Sequence, residues 1–267
     1  MPRFNANLSM MFPELEEPKR FEAARKAGFT AVEFLRPYNH PIADMRRWLD
    51  EAGLEMVLIN SPMGNPDAGE RGLGALPGRQ VDFRASLEHA LDYANGLGAG
   101  MVHLMAGVVP EGVTRDVCEQ TFIENVAEAS ETAKKRGVRL MLEPLNARDV
   151  PGYLHATSSQ ARRIIEASGA DNVFLQYDLY HLQIMQGDLV EGLAQNLDVI
   201  GHIQFSSVPG RHEPQYGEVN MQHCFDAIDA LGYTGWVGCE YRPKGETLAG
   251  LTWAHPYGIG TSARPAR

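Results

Sequence analysis

Four residues with oxygen-bearing side chains stand at or near the ends of apolar runs in the second half of the chain. They are Glu143, Asp178, Gln204 and Glu240. Each step from one to the next is roughly 30 residues, the length of one strand-plus-helix unit. If the runs are parallel strands of one sheet, their carboxyl ends meet at the same edge, and the four side chains converge there.

Three carboxylates that converge at a buried edge repel one another and take up protons unless a cation holds them together. Together with the amide oxygen of Gln204, they form a ligand set made only of oxygen atoms. Such a set suits Mg²⁺ or Mn²⁺ better than zinc, which prefers histidine and cysteine. The sequence therefore predicts a divalent metal site, with Mg²⁺ as the expected ion and Mn²⁺ as the alternative.

Each of these residues also has a plainer interpretation. A lone acid at a strand end often caps a helix or forms a salt bridge, and a buried glutamine such as Gln204 often hydrogen-bonds only to backbone. We expect a structural role for Glu33, in the second apolar run. Among the histidines, His103 is the one expected to line a pocket.

The elements that must position these residues follow a regular order. Apolar runs alternate with segments of helical periodicity, and glycines follow many of the helical segments. The runs are Phe4–Phe12, Ala31–Pro37, Met56–Pro62, Met101–Val109, Arg139–Asn146, Val173–His181, Ile200–Ser207 and Trp236–Pro243. Eight strand-helix repeats predict an α/β protein of the TIM (β/α)8 barrel type. A doubly wound sheet is the alternative, but no glycine-rich turn follows the first run.

The domain organisation predicted from the sequence is simple. We expect a single barrel domain over residues 1–254 and a poorly ordered C-terminal tail over 255–267. Two long connections, 61–79 and 207–220, are rich in glycine and proline and are typical of lids over an active site. The sequence does not determine the oligomeric state, and a homo-oligomer is one alternative.

The composition of the chain indicates which kinds of molecule it binds. The chain has 267 residues and a formal net charge of -10, which argues against a nucleic-acid or anionic-membrane partner. Its three cysteines, too few and too widely spaced for a disulfide framework, are expected to be reduced core residues. No apolar run approaches the ~20 residues of a membrane span, and no signal peptide is recognisable. We expect a cytoplasmic protein that acts on a small molecule.

Several stretches resemble the hydroxypyruvate isomerase family of sugar isomerase and epimerase-like barrels. The resemblance runs from about residue 3 to residue 253, and the stretches that carry it are FNANLSMMF, ALPGR, VHLMAGVVPEG, EPLNARDVPGY, QYDLYHLQIMQGDL, HIQFSSVPGRHEP and GWVGCEYRP. It implies that Glu143, Asp178, Gln204 and Glu240 occupy metal-ligand positions. It also implies that Glu143 and Glu240 serve as proton donor and acceptor.

The same resemblance suggests which residues contact the substrate. His181 and Arg211 resemble substrate-contacting positions of related ketose epimerases, and Asp149 matches a glutamate there. A charge count independently calls for a basic group, because three carboxylates and one divalent cation leave the site negative and an anionic substrate would be repelled. Arg211 is the predicted partner of the substrate carboxylate.

The implied activity is the interconversion of hydroxypyruvate and tartronate semialdehyde by metal-assisted proton transfer through an enediolate. The substrate would be a small anionic hydroxy-oxo acid. The alternatives are a 2-oxo-tetronate isomerase, a ketose epimerase, which Gln204 in place of histidine disfavours, and a barrel that binds a sugar acid without catalysis. A DNA-repair endonuclease is disfavoured by the acidic charge and by the lack of a histidine-rich ligand set.

Overall fold

Eight parallel strands form a closed barrel in the computed structural model, which describes residues 1–261. The strands pair in chain order, and the first closes the ring against the last. They are β1 (Arg3–Asn7), β2 (Ala31–Phe34), β3 (Glu55–Asn60), β4 (Met101–His103), β5 (Arg139–Leu142), β6 (Val173–Asp178), β7 (Ile200–Phe205) and β8 (Trp236–Cys239). The predicted TIM barrel is confirmed.

Helices follow the strands and pack around the barrel. They are α1 (Glu17–Lys26), α2 (Ile42–Ala52), α3 (Gln80–Leu97), α4 (Arg115–Lys135), α5 (Ser158–Ser168), α6 (Leu179–Met185), α7 (Leu189–Asn196), α8 (Met221–Ala230) and α9 (Thr247–Gly250). Short 3₁₀ helices lie at Pro37–Asn39, Pro66–Ala68, Pro214–Tyr216 and Leu251–Tyr257. Among residues 1–261, no helix has the length and apolar character needed to cross a membrane.

Local sequence signals account for several helix ends. Gly53 and Gly98 follow α2 and α3 with φ angles of 63° and 72°, a left-handed conformation that favours glycine. Thr157 and Gln160 form a capping box at the start of α5, so the first turn of that helix has its free N–H groups satisfied. The glycines thus end helices that lead into the next strand, and the capping box begins the helix that follows the loop after β5.

All eight apolar runs extend beyond the ends of the strands they contain, and two of them extend furthest. The run Phe4–Phe12 includes β1 only as far as Asn7, and the run Met101–Val109 includes β4 only as far as His103. The remaining residues, such as Met11 and Leu104, are buried although they lie outside the strands. Apolar composition marks burial there, because the loops fold over the barrel mouth, and it does not mark extended backbone.

The end of the chain is described as far as residue 261. Ile259 is buried, and the backbone N–H of Gly260 donates to the carbonyl of Ala27 at 2.7 Å. Residues 262–267 of the predicted tail lie outside the described part. The domain boundary at residue 254 stays a prediction.

The barrel interior changes character along its axis. Near the beginnings of the strands it holds a separate apolar cluster formed by Ala31, Val57, Leu58, Met101 and Met141. Closer to the mouth, the carboxylate of Glu33 is fully buried among polar side chains. A buried polar layer therefore lies beneath the mouth, where the predicted site residues are carried.

Gly238 of β8 packs directly against this polar layer. A Cβ atom at this position would lie 2.6 and 2.7 Å from the two carboxylate oxygens of Glu33 and 2.9 Å from Cγ of Gln204. We expect Gly238→Ala to lower the free energy of unfolding by about 1–3 kcal/mol through overpacking, as measured by urea denaturation. At Gly245 an added Cβ would meet nothing within 4 Å, so Gly245→Ala is the control. Equal stabilities of the two variants would contradict tight packing at Gly238.

Candidate active site

The four predicted ligand residues lie at the C-terminal mouth of the barrel, on four consecutive strands. Glu143 and Glu240 come directly after β5 and β8, Asp178 ends β6, and Gln204 lies in β7. Asp178 pairs with Gln204 across β6 and β7, and Gln204 pairs with Gly238 across β7 and β8. All four side chains are buried. The strand register therefore accounts for their convergence.

Within the described chain, one group of acidic and histidine side chains is compact enough to hold a metal ion. It consists of Glu143, Asp178 and His181, whose candidate ligand atoms lie within 4.8 Å of one another. Oε1 of Glu143, Oδ2 of Asp178 and Oε2 of Glu240 are buried without a hydrogen-bond partner. Buried carboxylate oxygens without partners are costly, and a divalent cation would satisfy them. The donor set therefore fits Mg²⁺ or Mn²⁺.

The pKa values of the three carboxyl groups also favour a bound cation. Burial raises the pKa of Glu143 well above its usual range, and the charges of Glu240 and Asp178 raise it further. Burial also raises the pKa of Glu240 to about 8 and that of Asp178 to about 6, although Arg211 opposes both shifts. Without an added cation, the cluster therefore retains protons near neutral pH. A divalent cation would replace them.

His181 is held in the site by hydrogen bonds from Asn146. Its Nδ1 accepts hydrogen bonds from the backbone N–H of Asn146 at 3.0 Å and from the Asn146 side-chain amide at 2.7 Å. Burial lowers the pKa of the imidazole well below its usual value, so the ring is neutral, and the two bonds to Nδ1 assign its one proton to Nε2, although Nη2 of Arg211 lies 3.4 Å from that nitrogen. Nε2 lies 3.8 Å from Oε1 of Glu143 and 3.6 Å from Oδ2 of Asp178. A protonated Nε2 has no free lone pair, which favours the predicted substrate contact over metal ligation.

Arg211 reaches the same cluster from the loop after β7. Its Nη2 donates to Oε1 of Glu240 at 2.9 Å and lies 3.9 Å from Oδ2 of Asp178. The guanidinium stands 4.8 Å from the ring centroid of Tyr180, and only 14% of the side-chain surface is exposed. Its backbone is held in the left-handed region at φ 54°, with its N–H bonded to the carbonyl of Ser207. Arg211 is therefore a fixed positive charge inside the site.

Gln204 is oriented by two buried neighbours. Its Nε2 donates to Oε1 of Glu33 at 2.8 Å, and its Oε1 accepts from Nε2 of Gln176 at 2.5 Å. Burial alone would raise the pKa of Glu33, but hydrogen bonds and charge from His202, together with bonds from Asn5 and Gln204, lower it overall. Glu33 therefore makes structural hydrogen bonds, as the sequence predicted, and one of its partners is a predicted ligand.

A cavity of about 310 Å³ opens above the cluster. Glu143, His181, Arg211 and Glu240 line it, and so does His103, as the sequence predicted. Nδ1 of His103 lies 3.2 Å from Oε2 of Glu143, and burial lowers the pKa of this ring to about 3, so it is neutral. The cavity is small for a ligand site and suits a compact substrate.

Sequence reasoning missed several cavity residues. Arg36, just after β2, and Asn60, at the end of β3, both line the cavity. Neither residue is acidic, so the pattern of converging acids in the sequence does not include them. Asn146, in the stretch EPLNARDVPGY, fixes the tautomer of His181, and nothing in the sequence indicates this role. Asp149 also lines the cavity, with Oδ2 3.8 Å from Nη1 of Arg211.

Comparison with known proteins identifies the family to which the chain is similar. Residues 21–257 match the family model described as xylose isomerase-like TIM barrel. The chain is 48% identical to a 2-oxo-tetronate isomerase of Cupriavidus necator, over 96% of this chain and 99% of that protein. It is 40% identical to the hydroxypyruvate isomerase of Escherichia coli, over 96% of this chain and all of that protein. A crystal structure from Brucella melitensis, described as an AP endonuclease of family 2, superposes with a TM-score of 0.94 at 44% identity, covering 96% of this chain and 99% of that one.

Proposed function

The chain belongs to the xylose isomerase-like TIM barrel family, and from this premise we propose that it is a hydroxypyruvate isomerase. The observation that carries the proposal is the pair of buried glutamates, Glu143 and Glu240, at one cavity. They follow β5 and β8, which are not neighbours in the barrel. Two carboxylates that approach a bound substrate from different strands are suited to removing a proton from one carbon and returning it to the next.

The reaction moves one hydrogen between adjacent carbons. Hydroxypyruvate loses a proton from C3 and forms an enediolate, the hydroxyl proton passes from the oxygen on C3 to the oxygen on C2, and a proton then adds to C2 to give tartronate semialdehyde. No oxidant or reductant is consumed, because the carbonyl and the hydroxyl exchange places. One glutamate accepts the proton from C3, and the other delivers a proton to C2. Nε2–H of His181 donates to an oxygen of the substrate as negative charge develops on it.

We also propose that a divalent cation, Mg²⁺ or Mn²⁺, is held by Glu143, Asp178, Gln204 and Glu240. When bound, the cation would supply positive charge at the site, which would stabilise the negative charge of the enediolate. The three buried carboxylate oxygens without partners support this ligand set. Arg211 balances the remaining negative charge and binds the substrate carboxylate.

Arg211→Ala is expected to raise the Michaelis constant for hydroxypyruvate on the order of ten- to a hundredfold, because a charged hydrogen bond contributes about 1.5–3 kcal/mol. Arg211→Lys should recover part of this loss, since it restores the charge without the planar fork. Steady-state kinetics measure both. Arg148→Ala, which removes an exposed positive charge beside the mouth without reaching the cavity, is the control. An unchanged constant in Arg211→Ala would remove Arg211 from the substrate site.

A second substrate has specific support. The chain is 48% identical to the 2-oxo-tetronate isomerase, and moving a carbonyl from C2 to C3 of a four-carbon acid requires the same proton transfer. The cavity of about 310 Å³ admits either acid. Hydroxypyruvate and 2-oxo-tetronate should be incubated separately with the protein and Mg²⁺ or Mn²⁺ in deuterated water and followed by NMR. The larger kcat/KM identifies the substrate, and no exchange with either would favour a barrel that binds without catalysis.

A nucleic-acid substrate finds little support in this chain, although the similar Brucella structure is described as an endonuclease. The net charge of -10 opposes the approach of a phosphate backbone. The metal-binding group found among residues 1–261 contains one histidine and two acids, where a zinc site for phosphodiester cleavage would be rich in histidine. We therefore propose a small hydroxy-oxo acid as the substrate.

A further inference from the structure

The geometry points to Glu33 as a positioning residue that fixes which end of the Gln204 amide faces the metal site. This inference rests on the proposed function, because it concerns a ligand of the proposed cation. Glu33 lies in β2, three strands from β7 around the closed barrel, and has no exposed surface. It does not line the substrate cavity.

Four side-chain nitrogen atoms converge on the Glu33 carboxylate. Nδ2 of Asn5 and Nε2 of His202 lie 2.9 Å from its Oε2. Nδ2 of Asn7 and Nε2 of Gln204 lie 2.9 and 2.8 Å from its Oε1. Two amide donors on Oε1 leave no room there for a carboxyl proton, so the oxygen that faces Gln204 accepts hydrogen bonds and donates none.

An acceptor-only neighbour decides the orientation of Gln204. A side-chain amide has a nitrogen that donates and an oxygen that accepts, and the two ends have nearly the same shape. If the amide were reversed, its oxygen would face Oε1 of Glu33 at 2.8 Å, and two acceptors would repel. With the nitrogen on Glu33, the oxygen faces away from it and toward Gln176 of β6, the strand that ends in Asp178. In this orientation the amide oxygen lies on the side of β6, and we assign to the cation the lone pair that Gln176 leaves free.

Glu33 thus acts on the metal through Gln204 and not by contact. A buried glutamine can rotate its amide at little steric cost, so without Glu33 the ligand oxygen would face the site for only part of the time. Partners that orient metal ligands typically change metal affinity by about 10- to 100-fold when they are removed. A role of Glu33 in barrel stability alone would leave the affinity for metal unchanged.

The test measures Mn²⁺ binding to the full chain by isothermal titration calorimetry, without substrate. Glu33→Gln removes the acceptor-only character, and Glu33→Asp keeps the negative charge but withdraws its oxygens from Gln204. Both are expected to weaken Mn²⁺ binding about 10- to 100-fold. Asn5→Ala is the matched control, because it disturbs the same buried layer and leaves the bond between Glu33 and Gln204 in place. Its affinity should remain within about twofold of the unaltered protein.

The same substitutions are then made in a Gln204→Ala background. Because Glu33 acts through Gln204, neither should weaken Mn²⁺ binding further by more than about twofold there. Equal losses in both backgrounds would overturn the inference, since they would show an effect of charge or packing. If Glu33→Gln fails to fold, Glu33→Asp decides alone, and unchanged affinity in it overturns the inference.

Failure of the inference is distinguishable from failure of the proposed function. If the unaltered protein binds Mn²⁺ but isomerises neither acid, the proposed substrate is wrong and the role of Glu33 is still measured by affinity. If the unaltered protein does not bind Mn²⁺, the proposed metal site and the role of Glu33 are both overturned.

Discussion

Replacing either Glu143 or Glu240 by glutamine is expected to lower kcat by about a hundredfold to ten-thousandfold while the barrel stays folded. Glutamine keeps the shape of the side chain but neither accepts nor delivers a proton at the substrate. Both carboxylates are buried at the cavity, so water has little access to act in their place. Steady-state kinetics on hydroxypyruvate, with circular dichroism as the check on folding, measure the loss.

Isotope exchange separates the roles of the two glutamates. The variant that retains the base for C3 should still exchange the C3 hydrogens of hydroxypyruvate with deuterated water, while forming little tartronate semialdehyde. The other variant should exchange the C2 hydrogen of tartronate semialdehyde and leave hydroxypyruvate unlabelled. This reciprocal pattern follows from a mechanism with two separate proton-transfer groups.

Glu55→Gln provides a control at the opposite end of the barrel. Glu55 is exposed at the start of β3, away from the mouth that holds the site. Its replacement should leave kcat unchanged. Near-normal turnover in Glu143→Gln or Glu240→Gln would show that the glutamate concerned is not a proton-transfer group.

The convergence of the four strand-end residues could be predicted because a parallel barrel places every strand's carboxyl end at the same mouth. Spacing along the chain was enough to identify Glu143 and Glu240, three strands apart, as neighbours of one cavity. The hydrogen-bond partners of these residues could not be predicted in the same way. Glu33 and His202 are separated by 169 positions and meet only because the barrel closes.

The tautomer of His181 shows a second limit. Its proton is assigned to Nε2 by the backbone N–H and the side chain of Asn146, which depend on the path of the loop after β5. Nothing in the spacing of His181 and Asp178 distinguishes a metal ligand from a hydrogen-bond donor. The resemblance to ketose epimerases gave the substrate-contact interpretation, and the structure supplies a physical reason for it.

Removing divalent ions with a chelator is expected to abolish isomerisation, and Mg²⁺ or Mn²⁺ should restore it. Among the proposed ligands, Asp178 tests this expectation directly. Its Oδ1 accepts from the backbone N–H of Tyr180 at 2.8 Å, while Oδ2 has no hydrogen-bond partner. Asp178→Asn keeps the shape but loses the anion, and we expect Mn²⁺ binding to weaken on the order of a hundredfold or more. Asp188→Asn, at an exposed residue in the left-handed conformation that asparagine tolerates, is the control.

Stability gives a readout of this prediction that does not depend on turnover. A buried carboxylate without its cation is costly, so Asp178→Asn should unfold at the same or higher urea concentration than the unaltered protein when metal is absent. Adding Mn²⁺ at 100 times its dissociation constant should stabilise the unaltered protein by about 2.7 kcal/mol and the variant far less. Chelator-insensitive turnover, or equal stabilisation of both proteins by Mn²⁺, would contradict a metal held by Asp178. A divalent ion shared by the proposed ligands would offset the repulsion among three acids buried at one mouth.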